Sequence, residues 1–365
     1  MIKKIYLIGF VLLVTISTSF GQQKTNTRDT IRLTSGSHTT NKPTSFDIHF
    51  NGFAFLDDHE YDALIPLRKT ISGTRTAVDV GFNPDSLNHF VVGVNALHEF
   101  GGKPYFLNVN PVVYYNFTNT HWIFNAGEFP RQGLLTQYPR ALLNDTLIYY
   151  RPNVEGLLLS NHGKHGYETG WIDWLSRQTA TDRNQFLAGF LGKFKPASSG
   201  PFYISHFFMF MHDAGTKPLQ PNSPIEDNGG AQVRLGLDLT HKQTVFDSLS
   251  FEVGGMGSAH RVRSQFNFIY SKGFVASFYA GYKAFSLYDE FYKGQANYII
   301  YGDPFYSKTI YNRLDVSYAA FVYKHLRGAF TFSFHQSPAR LTDLSEVFRV
   351  VYDIGRVKIA QFNSN

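Results

Sequence analysis

The stretch YFLNVNPVVYYNF, residues 105–117, decides how this chain is read. Its odd positions are Tyr105, Leu107, Val109, Pro111, Val113, Tyr115 and Phe117. Its even positions carry Asn108, Asn110 and Asn116 among Phe106, Val112 and Tyr114. Side chains of a strand alternate between two faces, so this period of two builds one apolar face and one largely polar face. Tyr105 stands at one end of the apolar face, and Tyr115 and Phe117 at the other. The ends lie ~34–41 Å apart along an extended strand. A tilt of ~45° turns that into about 25–29 Å of depth, close to the lipid-facing band between the aromatic girdles of a transmembrane barrel. The apolar face is therefore expected to touch lipid. Pro111 has no amide hydrogen for a ladder, so a bulge or a missing ladder bond is expected there.

Composition points the same way. Aromatics are 16% of the 365 residues and charged residues only 17%, against ~25% charged in soluble domains. Mean hydropathy is nevertheless slightly polar, −0.21. A membrane barrel reconciles the two, because only every second residue meets lipid; composition alone also fits a large soluble β-sandwich. The chain opens MIKKIYLIGFVLLVTISTSFGQQ. Lys3 and Lys4 precede an apolar run from Ile5 to Ile16, and Ser19-Phe20-Gly21 gives a small-x-small pattern. Residues 1–21 read as a cleaved signal peptide. No later apolar run reaches ~18 residues, so no transmembrane helix is expected. The chain has no cysteine, which excludes a disulfide framework and a lipidated cysteine.

Residues 22–45 are rich in Thr, Ser, Asn and Lys without a period and are expected to be mobile. From residue 46 to the end, about sixteen period-two segments (14–18 allowed) follow, each ~10 residues long, as a tilted membrane strand requires. They are read at 46–56, 74–82, 88–99, 105–117, 120–129, 153–160, 166–176, 184–194, 201–211, 230–240, 248–258, 262–271, 273–285, 310–324, 327–336 and 346–361. The long connections are then 57–73, 130–152, 212–229 and 286–309. All four have the same parity, so an up-and-down antiparallel barrel gathers them on one side and the tight turns on the other. The fold class is all-β, in a single barrel domain over 46–365.

In these features the chain resembles porin-type β-barrels of the Gram-negative outer membrane. The likeness is architectural and carries no signature motif. It implies an outer-membrane location, long loops outside and short turns in the periplasm. It also implies contact with outer-membrane lipid and with the barrel-assembly machinery, and a homotrimer is one assembly it allows. A barrel this wide leaves an aqueous lumen. The expected function is then passive diffusion of small hydrophilic solutes, with no enzymatic activity, cofactor or metal. An accessory barrel with a closed lumen is the alternative, and a lipid-modifying enzyme a further one.

In porins of this size the third outer loop folds inward. Here it is 130–152, rich in Leu and bearing Arg131, Arg140 and Arg151. These arginines either line a constriction, faced by Glu128, Asp145 and Glu155, or pair with those acids or cap the barrel rim without meeting solute. Polar-face positions Arg234, Arg263, Lys283, Arg313 and Arg349 are expected in the lumen, with a modest anion preference. Losing Lys3 and Lys4 with the leader lowers the formal charge of +6 by two.

Other constellations are weaker. His335 and Ser337 share one strand face, as in outer-membrane phospholipases, but the face is the inward one and Pro338-Ala339 replaces the Asn-Gly of that pattern. Asp57-Asp58-His59-Glu60 could hold a cation, although a solvated loop is the simpler reading. His162 and His165 lack a third zinc ligand. Trp171 and Trp174 fall on opposite faces, and at least one fits an interfacial anchor better than a sugar platform. No nucleotide or nucleic-acid motif is present.

Overall fold

The computed structural model describes residues 44–362 apart from 62–69, 221, 241, 244 and 339. The leader and nearly all of the N-terminal segment lie outside the described residues. Sixteen antiparallel strands close into one barrel, each pairing with its sequence neighbours and β1 with β16. They are β1 (Thr44–Glu60), β2 (Thr70–Asn83), β3 (Asn88–Glu99), β4 (Asn108–Thr118), β5 (Trp122–Pro130), β6 (Asn153–Gly163), β7 (Gly166–Ser176) and β8 (Gln185–Phe194). Then come β9 (Phe202–Asp213), β10 (Glu226–Asp238), β11 (Ser248–Val262), β12 (Phe266–Tyr282), β13 (Phe285–Gly294), β14 (Ile310–Tyr323), β15 (Leu326–Ser337) and β16 (Arg340–Phe362). The three longest connections, 131–152, 214–225 and 295–309, share the rim opposite the two ends of the described chain.

The strand number agrees with the sequence reading, but two boundary errors cancel. Lys272 is no turn: the β11–β12 register runs through Gly257–Lys272 without a break. The strand missed in its place is β13, hidden by the polar run Tyr288-Asp289-Glu290. Glu290 is buried in the interior because Arg234 of β10 reaches it at 2.9 Å. A carboxylate matched in this way can sit in the wall, where the local sequence suggests a loop.

β4 begins at Asn108, so Tyr105 precedes the strand, 67% exposed and stacked on His98. Tyr115 and Phe117 lie on the outward face of β4, where Tyr115 packs on Phe90. Pro111 pairs with Val94 of β3. On its other side the β4–β5 ladder starts only at Val113–Glu128. Extending that register would oppose Pro111 to Pro130, and neither can donate. The rungs are missing there, and Asn153 Nδ2 donates to the Pro111 carbonyl at 2.7 Å.

Two connections turn into the barrel. The 131–152 segment carries the short helices α1 (Gln132–Leu135) and α2 (Leu147–Tyr150). Its Leu134, Tyr138, Leu142 and Leu143 bury against inward wall residues Trp171, Leu187, Met209 and Met256. Ile299, Phe305 and Tyr306 of the 295–309 connection join the same core. Each buried leucine stabilises by about 1.5–3 kcal/mol, so an apolar loop has good reason to leave water. The wall is hollowed to receive it. A Cβ on Gly230 would stand 2.6 Å from Ile299 and 2.9 Å from Leu142. One on Gly189 would meet the Trp171 ring and the Tyr138 hydroxyl at 2.4 Å.

Candidate functional site

Inside the barrel, the inturned segments leave a cavity of about 580 Å³ along β14, β15, β16 and β1. Lys324, His325 and Gly355 line it near the rim of the described termini, and Arg140, Asp145 and Asp303 line its inner end. Arg140 Nη2 stands 3.4 Å from Asp145, and Arg349 Nη2 3.7 Å from the same oxygen. Arg313 pairs with Asp315 at 2.7 Å and Asp303 at 3.4 Å. Asp57 pairs with His59 at 2.6 Å. His335 is buried between the Tyr311 hydroxyl at 2.6 Å and those of Tyr61 and Ser345.

Burial pushes the Asp303 carboxyl up to about 7, in a connection outside the membrane strands. A carboxyl raised on folding keeps its proton longer in the folded chain. Its contribution to stability is therefore complete below about pH 4 and is lost as pH rises through about 7. The denaturation midpoint should fall between about pH 5 and pH 8, and fall less in Asp303→Asn. Equal slopes in chemical denaturation would show that another group governs the loss.

Several expected lumen groups lie elsewhere. Arg131 is fully buried, 2.5 Å from Asp173, and donates to the carbonyls of Arg151 and Asn153. It clasps the two ends of its own loop. Arg151 donates to the Leu175 carbonyl. Glu128 and Glu155 stand opposite each other on the outward face, level with Val113, so they do not face the loop arginines across a lumen, although Arg151 and Arg131 lie near enough to act on Glu155 through the wall. Arg234 points inward but is buried against Glu252 and Glu290. Lys283 sits in the β12–β13 turn with its ammonium over Tyr282. Asp57–Glu60 forms the end of β1 and not a loop, so its side chains alternate between faces and cannot chelate together. Trp171 faces inward and Trp174 outward, and Ser337 ends β15 beside Arg340. His162 meets Ser160 while His165 meets the Lys195 carbonyl.

Arg263 belongs to a different site, on the outside. The outward residues of β9 are Phe202, Ile204, His206, Phe208, Phe210 and His212. Those of β10 run from Leu237 through Leu235, Val233, Ala231 and Gly229 to Asp227. On β11 they run from Phe251 through Val253, Gly255, Gly257 and Ala259 to Arg261. Phe202 to His212 covers ~34 Å of strand, or ~24 Å of depth at a 45° tilt. That is the height of the apolar band, so the row His212–Asp227–Arg261 marks its edge on the long-loop rim.

This row is one hydrogen-bonded unit. His212 Nδ1 donates to Asp227 at 2.7 Å. Arg261 reaches the other carboxylate oxygen through Nε at 3.0 Å and Nη2 at 2.5 Å, and Arg263 reaches it through Nε at 3.1 Å. Asp227 is buried under these three donors, whereas the Arg263 side chain is 48% exposed. His212 rests between Phe186 and Phe210, and Arg261 lies over Phe268 at 4.3 Å. Beside it lies an open surface depression lined by Arg261, Arg263 and the residues that follow, Ser264 to Asn267. Ser264 has φ +88°, left-handed and costly for a residue with a Cβ. Two guanidiniums on one carboxylate leave net positive charge at the membrane edge. In the neutral imidazole, Nδ1–H is committed to Asp227 and Nε2 is the acceptor. The arrangement can hold an anionic lipid headgroup and take a proton beside it.

The sequence reading missed this unit, although β11 carried a signal. An apolar outward run from Phe251 to Ala259 is closed by Arg261 and Arg263 in the same phase. Ending the strand at 258 lost that phase and sent Arg263 inward.

The fold is shared with solved outer-membrane barrels. OmpT of Vibrio cholerae with loop L8 deleted matches at a TM-score of 0.54 and 11% identity, over 85% of this chain and 99% of that one. A trimeric form of OmpT matches at 0.52 and 9% identity, over 85% and 99%. OprB of Pseudomonas putida matches at 0.51 and 6%, over 85% and 94%. At such identities these likenesses show an outer-membrane-type barrel and nothing finer. No curated protein matches the sequence. A family model does, over residues 38–364, and it describes lipid A 3'-O-deacylases. That match overturns the expectation of a barrel without enzymatic activity, which rested on barrel width and on the inward placement of His335. Spanning the whole barrel, it decides the assignment: this chain belongs to the lipid A 3'-O-deacylase-type family.

Proposed function

We propose that the chain is an outer-membrane ester hydrolase acting on an acylated, anionic glycolipid of the lipid A type at the His212–Asp227–Arg261–Arg263 unit. The observation that carries this reading is the position of the unit, outward and at the membrane edge. An ester in the outer leaflet can reach it there, but cannot reach His335 inside the barrel. Asp227 orients the imidazole. His212 Nε2 takes a proton from water as the hydroxide adds to the ester carbonyl. Arg261 and Arg263 face the oxyanion or a neighbouring phosphate. Collapse breaks the acyl C–O bond, and the leaving sugar oxygen takes the proton back from Nε2. The products are a free fatty acid and a sugar hydroxyl. The filled loop side of the barrel favours this reading over that of a wide diffusion pore.

The purified full chain, folded in detergent and mixed with lipid A, is expected to release one acyl chain, seen as the matching mass loss and as free fatty acid. Intact lipid A, recovered from a preparation whose heat-modifiable mobility shows a folded barrel, would overturn the reading.

A further inference from the structure

We infer that the interior cavity is a second binding site, for a small anionic solute bearing a phosphoryl or carboxylate group and entering from the rim that carries the described termini. This is independent of the hydrolase reading, whose unit lies on the other face of the wall. The cavity, about 580 Å³, is large enough for more than an inorganic ion, and Lys324, His325 and Arg327 line it near that rim. Most of the acids around it already have close basic partners. Asp57 has His59 at 2.6 Å, Asp315 has Arg313 at 2.7 Å, and Asp353 has His49 at 3.1 Å.

Arg140 and Arg349 at the inner end differ. Both converge on the single carboxylate of Asp145, at 3.4 Å and 3.7 Å, longer than the ~2.7–2.9 Å of a charge-assisted bond. A second carboxylate, Asp315, stands 3.8 Å from Arg140. Arg349 is backed by the Tyr149 hydroxyl at 2.6 Å and its ring at 5.3 Å. The side chains of Arg140, Asp145 and Arg349 are 33%, 33% and 29% exposed, while Asp57, Asp303, Arg313 and Asp315 beside them are below 10%. Two guanidiniums therefore stand open to the cavity around a carboxylate that satisfies neither. An oxyanion with several acceptor oxygens can bond both at once, and Asp145 then becomes its competitor.

Titration calorimetry of the folded full chain in detergent tests this, with inorganic phosphate and succinate as separate probes. At least one probe should bind the native chain. Asp145→Asn should tighten that binding about tenfold, and Arg349→Gln should weaken it about tenfold or more. Phosphate alone binding assigns a phosphoryl ligand, and succinate alone a carboxylate. Failure of both probes to bind the native chain overturns the site. So does an affinity that Arg349→Gln leaves unchanged, or one lost in Arg261→Gln, which would place the anion on the outer wall.

Discussion

A His212→Ala chain should fold and insert normally yet hydrolyse its lipid substrate about 10²–10⁴-fold more slowly, the share of rate that a positioned acid–base group supplies. The imidazole lies on the outer surface between Phe186 and Phe210, so its removal opens no cavity in the packed interior. Asp227→Asn should lower the rate as well, because the amide can satisfy His212 with the wrong tautomer and leaves Arg261 and Arg263 without their carboxylate. Fatty-acid release under single-turnover conditions is the readout. An unimpaired His212→Ala rate, with folding confirmed by gel mobility, would move the chemistry to another part of the wall.

Arg131→Ala should destabilise the folded barrel by about 3–5 kcal/mol, the cost of leaving one member of a buried ion pair without its partner. Arg131 and Asp173 have side chains only 1% exposed each. The guanidinium also bonds the carbonyls of Arg151 and Asn153, so the substitution unties both ends of the inturned loop. Denaturant midpoints measure the loss. Adding Asp173→Asn should recover part of it, because the stranded charge goes with the carboxylate. A double variant no more stable than Arg131→Ala would place the cost in the loop clasp alone.

The barrel was legible because alternation is a local property. Val78, Val80 and Phe82 on one strand, or Val233, Leu235 and Leu237 on another, announce a lipid face without help from distant residues. The inturned loop was legible for a related reason, since Leu134, Leu142 and Leu143 are too apolar for water. What stayed hidden depends on pairing across the barrel. Glu290 reads as a loop residue until Arg234 is placed opposite it. Glu128 and Glu155 read as partners for the loop arginines until the β5–β6 register turns both outward. The His212–Asp227–Arg261 row joins three strands, and no short window of sequence contains it.

The outward position of Glu128 has a consequence for the surrounding lipid. Between Trp122 and Glu128 the outward face of β5 offers ~20 Å of strand, or ~14 Å of depth at a 45° tilt. The band beside β9 is about 24 Å by the same measure. The apolar girdle of this barrel is therefore uneven, shorter beside β5 and β6 than beside β9. Such hydrophobic mismatch is met by thinning of the bilayer, by snorkelling of flanking side chains or by association with another barrel.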